Sequence, residues 1–159
     1  MKMSRLQKSA LGLAGFTAFA IGALILLEPH AFYAGYGITL AADPNLLSEL
    51  RAPAANLAAL GALMLAGLFR PSLTRISSAV ALVVFLAFPA GRMTSIAADG
   101  IPAGSVWAAL AIEVAIGILL LIAFGKSPAG ARPEKPTDYP LSRQNPPSKD
   151  RQDSPLPVA

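Results

Sequence analysis

Cysteine is absent from this sequence, so it holds no disulfide, no thiolate metal site and no redox pair, and cysteine usage says nothing about its compartment. Histidine occurs once, as His30. It stands beside Pro29 at the end of an apolar run, a surface position, and one imidazole leaves too few ligands for a transition-metal or haem site. There is no glycine-rich phosphate loop, no G-x-S-x-G elbow and no H-E-x-x-H stretch. The acids are scattered, which does not make a hard-cation site, so we expect no metal, no cofactor and no enzymatic activity. Charge is also scarce: 14% of the 159 residues are charged and 54% are hydrophobic, against roughly 25% charged in an ordinary soluble domain. The deficit points to lipid.

What is present is four long apolar segments, each near the roughly 17 to 25 residues that cross a hydrocarbon core. They run from Ala10 to Leu27, from about Leu46 to Phe69, from about Ile76 to Ile96, and from Ser105 to Phe124. None has the polar face of a surface helix, and the short alternating segments of a β-barrel are missing. The reading is an all-α integral membrane protein, a bundle of four transmembrane helices over residues 1–125. A cleaved signal peptide is the alternative for the first segment, because Lys2, Arg5 and Lys8 precede it; its apolar core is longer than usual and no clear A-x-A site follows, which favours a retained helix.

Basic residues set the expected orientation. Lys2, Arg5 and Lys8, then Arg70 and Arg75 around a tight turn, then Lys126, all flank one side; Glu28, Asp43, Glu49 and Asp99 lie on the other, with Arg51 and Arg92. Both termini should face the cytoplasm, in the cell (inner) membrane. The net charge of +4 follows from this asymmetry and the tail, so no nucleic-acid partner is expected; the partner is the bilayer. The link after the first segment, "EPHAFYAGYGITLAAD", is too apolar for a solvated loop. With Phe32, Tyr33 and Tyr36 it should lie against the outer surface or fold partly back into the bundle. Asp43 before Pro44 is a good helix N-cap followed by proline at the first helical position. From Lys126 onward eight prolines and mixed charge predict a disordered tail, residues 126–159, without a dedicated partner.

Helices in lipid meet through small residues. Ala10, Ala14, Ala18 and Gly22 form one such row, Ala54, Ala58, Ala62 and Ala66 another, and Ser105, Ala109, Glu113 and Gly117 a third. The third row turns Glu113, the one carboxylate of "AALAIEVAIGILLL", into the bundle. There it needs a partner, since an unpaired charge in hydrocarbon is expensive. Arg92 and Arg51 lie at similar depth, Ser95 and Asp99 share a face with Arg92, and Asn56 shares one with Glu49. We therefore expect a polar cluster in the outer half drawn from Glu49, Arg51, Asn56, Arg92, Ser95, Asp99 and Glu113. Either arginine could instead reach the interface, and Glu113 could fix helix register or take part in proton transfer or ligand contact. Pro89 should kink its helix and free the carbonyl of Phe85.

The stretches "SELRA", "GRMTSIAADGIP" and "AIEVAIG" resemble the bacterial four-helix membrane family catalogued as domain of unknown function 4345, which is loosely similar to DoxX-like small membrane proteins. The resemblance covers roughly residues 8–125; where the family tends to follow its arginine-alanine pair with glycines, this chain has "PAAN", with Pro53. It implies the four-helix fold and the polar positions Glu49, Arg51, Arg92, Ser95, Asp99 and Glu113, and it supplies no substrate. Two function classes stay open. One is a non-enzymatic membrane subunit or lipid- or quinone-binding module; the other is a small transporter or proton-coupled carrier, which at this size would need to form a homo-oligomer and which lacks the internal repeat common in carriers.

Overall fold

The computed structural model describes residues 3–125; the tail predicted to be disordered lies outside the described residues. Five helices follow in order: α1 (Arg5–Leu27), α2 (Pro29–Ala34), α3 (Pro44–Phe69), α4 (Thr74–Asp99) and α5 (Gly104–Phe124). No strand occurs among the described residues. All but the short α2 are long and apolar enough to cross a membrane. Bulky side chains such as Phe16, Leu27, Phe69, Val83 and Ile122 point outward, while the interior mixes Ala10, Ala14, Ala18 and Ala81 with Leu11, Met64 and Leu120. So much exposed apolar bulk suits a lipid solvent, which makes no demand to hide leucine and rewards close approach of backbones at the small residues.

The helix ends follow from local chemistry. α1 starts five residues before the apolar run because Ser4 and Gln7 form a capping box: the Ser4 hydroxyl accepts from the Gln7 amide at 3.2 Å, and the Gln7 side-chain oxygen accepts from the Ser4 amide at 2.9 Å. The Gln7 side-chain amide also donates to the Ala123 carbonyl at 3.1 Å. The start of α1 and the end of α5 are thereby tied at one end of the bundle. Asp43 caps α3, accepting from the Asn45 amide at 2.8 Å ahead of Pro44. α4 runs three residues beyond the expected Ile96 to Asp99 and stops at Gly100, whose φ of 99° is open to glycine and strained for other residues.

α1 and α3 are antiparallel and packed backbone to backbone. Along the seam Gly12 faces Leu68, Gly15 faces Leu65, Phe19 faces Gly61 and Gly22 faces Ala58. The row Ala10, Ala14, Ala18, Gly22 is buried throughout. The row expected on α3 is corrected: Ala62 is exposed, and the packed face runs through Ala54, Leu57, Gly61, Met64 and Gly67. A helix with 3.6 residues per turn drifts off a strict four-residue repeat, so the contact passes from Ala58 to Gly61. α3 and α4 are joined near the tight turn, where buried Ser77 donates to the Leu63 carbonyl at 2.7 Å and Thr74 to the Gly67 carbonyl at 3.1 Å.

Proline lies inside two helices, at Pro53 in α3 and Pro89 in α4, and both helices continue through it. Pro89 has no N–H for the Phe85 carbonyl. That oxygen faces α5 at Gly117, where an added Cβ would stand 3.0 Å from it. The glycine lets the two helices close over a carbonyl that has lost its own partner.

Candidate functional site

α4 brings Arg92 seven residues from its end at Asp99, and α5 brings Glu113 nine residues from its start at Gly104. At 1.5 Å per residue these positions lie roughly 10 and 14 Å from the same end of two antiparallel helices. The side chains meet there. Arg92 Nε donates to both Glu113 oxygens, at 3.1 and 2.9 Å, and Arg92 Nη2 donates to Oε1 at 2.9 Å. Glu113 is the more enclosed partner, its side chain 11% exposed against 27% for Arg92. Such a forked, charge-assisted pair is what a carboxylate at this depth requires, since hydrocarbon offers no water in exchange.

The other residues expected to join Glu113 are elsewhere. Arg51 is exposed, and its Nε donates to the Leu26 carbonyl at 3.1 Å. Leu26 lies in the last turn of α1, where carbonyls lack intrahelical donors and a cation is favoured. Arg51 thus ties α3 to the end of α1. The Ser95 hydroxyl donates to Asp99 at 3.0 Å, one turn away on the exposed end of α4. Glu49 and Asn56 are exposed. They share a face of α3, as expected, but it is the outward one, because Ala54, Leu57 and Gly61 occupy the packed face. The seven-residue cluster is therefore corrected to one ion pair, Arg92 with Glu113; Arg51, the Ser95–Asp99 pair, Glu49 and Asn56 stand apart from it.

A cavity of about 430 Å³ opens beside the ion pair. All five helices wall it: Ile21 and Ile25 of α1, Phe32 and Tyr33 of α2, Leu50 and Leu57 of α3, Phe85 and Phe88 of α4, and Ala109 and Ile112 of α5, with Tyr36 and Ile38 from the link. The aromatic link thus folds back over the bundle. Phe32 meets Tyr33 edge-on at 5.4 Å between ring centroids and Tyr36 at 5.3 Å. Arg92 and Glu113 are the charged residues of an otherwise largely apolar wall. A second cavity, about 480 Å³, lies on the α4–α5 side between Gly91, Ser95, Ile96 and Pro102, and Phe88, Arg92 and Val106 line both. The arrangement can hold an elongated apolar molecule with a polar group against the guanidinium, as small-molecule sites of roughly 300 to 1,000 Å³ do.

Counting along the helices puts Arg92 and Glu113 at one depth, but it does not reveal the aromatic wall of the cleft or, away from the site, the Ser77 bond that joins α3 to α4. Ser77 lacked a signal, being one hydroxyl in "RISSAV" near a helix start. The aromatic residues gave one, since so apolar a link could not be solvated.

Residues 6–124 match the model of a family described as Domain of unknown function (DUF4345). No curated protein and no solved structure matches the chain.

Proposed function

The chain belongs to this family of unknown function, and on that premise we propose that it is a multi-pass protein of the inner membrane, both termini cytoplasmic, that holds a lipid or quinone in the cleft beside Arg92 and Glu113. On this reading it is a non-enzymatic binding module or membrane subunit. The observation that carries it is the cleft itself: about 430 Å³ of largely apolar space reaching all five helices, with its charge confined to one ion pair. Largely apolar walls with polar groups at one place suit an apolar chain that carries a polar head. The protein purified in mild detergent should carry one or a few species enriched over the bulk membrane extract, identified by mass spectrometry. Ala109→Phe, which fills the cleft from α5, should release them. A bound fraction with the composition of the bulk extract would overturn the reading.

The orientation is supported by the Gln7–Ala123 hydrogen bond, which sets the first and last long helices with their outer termini at one end, and by the basic flanks at that same end. Reporters fused after Arg5 and after Gly125 should both report cytoplasm, and one near Gly37 the outside. An outside signal from the fusion after Gly125 would sink this topology.

A further inference from the structure

We propose that the cleft selects an uncharged amphiphile whose head carries a hydrogen-bond acceptor, such as an ester or ketone oxygen, and rejects anionic heads. The inference rests on the reading of the cleft as a ligand site and adds the chemistry of the head group.

The argument starts from what Arg92 has left to give. A guanidinium carries five N–H donors and no acceptor. Glu113 takes Nε and one hydrogen of Nη2. Nη1 has no hydrogen-bond partner among the described residues, and no buried side-chain nitrogen or oxygen there lacks one, so Nη1 is an accessible group. Arg92 lines both cavities. Unspent donors on a residue that lines an apolar cleft call for an acceptor.

Charge decides which kind of acceptor. An isolated arginine would draw a carboxylate or phosphate, but the Glu113 oxygens already lie 2.9 to 3.1 Å from the guanidinium nitrogens that hold them. The pair is neutral overall. An anion arriving at Nη1 would give up its hydration and meet a cation whose charge is already matched, with the Glu113 carboxylate close behind. The cleft wall offers no other cation, since its remaining lining is apolar apart from the hydroxyls of Thr17, Tyr33 and Tyr36. A neutral carbonyl gives up far less hydration and still accepts from Nη1. A cationic head brings no acceptor and would face the guanidinium.

Two probes with the same hexadecyl chain separate these cases: a methyl ester, which is neutral, and a sulfonate, which is an anion throughout the working pH range. The full chain in zwitterionic nanodiscs is equilibrated with each, and probe retained above protein-free nanodiscs is measured by mass spectrometry. The ester should be enriched over the sulfonate by about tenfold or more, because only the anion must be desolvated as a charge. Glu113→Gln removes the neutralising charge and should shift the ratio toward the sulfonate by about tenfold. Sulfonate retained as well as the ester by the unaltered protein, or a ratio that Glu113→Gln leaves unchanged, overturns the head-group inference while leaving a ligand cleft in place. Retention of neither probe overturns the cleft reading and the inference with it. Should Glu113→Gln fail to fold, the ratio in the unaltered protein decides alone.

Discussion

Gly61→Ala is expected to destabilise the bundle strongly, and Gly61→Leu to prevent its assembly. A Cβ at Gly61 would run into the Phe19 amide nitrogen and stand 2.7 Å from Phe19 Cα and 2.9 Å from the Gly15 carbonyl. All of these are backbone atoms, so no rotamer change on α1 can make room. Overpacking against side chains typically costs about 1 to 3 kcal/mol; here α1 and α3 must separate along their seam, and the cost should exceed that range. Gly22→Ala should behave alike, meeting the Ala58 amide nitrogen, the Ala54 carbonyl at 2.7 Å and Ala58 Cα at 2.9 Å. Two controls isolate the cause. Gly12→Ala meets one side-chain carbon, of Leu68, at 3.5 Å, and Gly91→Ala meets nothing within 4 Å. Both should unfold in detergent at the temperature of the unaltered protein or slightly above it. A Gly61→Ala protein as stable as the controls would show that the two helices are not packed backbone to backbone.

Gly61 also marks how far this fold was legible from composition and spacing. Long uncharged runs announce spans, because hydrocarbon admits few alternatives to an apolar helix, and the four expected segments are spans by length and composition. Contact faces are harder to read in a chain so rich in alanine. A four-residue repeat found Ala54 and Ala58 and then continued to exposed Ala62, whereas the seam passes through Gly61. The extension of α1 back to Arg5 depends on a capping box, a pattern visible in "SRLQ" only once the helix is known to start there. α2 is six residues long, too short to show any periodicity, and only the apolar and aromatic composition of the link hints that it folds inward.

The polar residues teach a related lesson about depth. Depth along a helix can be counted from sequence, which is why Arg92 and Glu113 were expected at one level with Arg51. Direction around the helix cannot be counted so well when small residues occupy every face. Glu49 and Asn56 share a face by their seven-residue spacing, but both are exposed, and that face points away from the bundle. Arg51 had a competing partner that no side-chain inventory reveals, the unsatisfied backbone carbonyl of Leu26 at a helix end.

Those assignments separate in a mutant cycle centred on Glu113. Glu113→Leu should cost on the order of 3 to 5 kcal/mol, the usual consequence of leaving one member of a buried ion pair without the other, moderated because the Arg92 side chain is 27% exposed and can reach toward the interface. Glu113→Gln should cost less, since the amide oxygen can still accept from the guanidinium, though it loses the two-oxygen fork that Arg92 now grips through Nε and Nη2. Combining Glu113→Leu with Arg92→Leu removes both charges and should recover much of the loss, because the second change deletes the very group the first had orphaned. Combining Glu113→Leu with Arg51→Leu should give additive losses, since Arg51 is held by the Leu26 carbonyl and shares no partner with Glu113. Thermal unfolding in one detergent across the full set of variants measures both couplings. Coupling between Glu113 and Arg51, with none to Arg92, would place the carboxylate against α3 instead of α4 and overturn the site as described. Strong coupling to Arg92 alone would mean that the one deep charge of α5 is spent on docking that helix to α4, and the ligand cleft would then owe its polar end to donors left over from a structural bond.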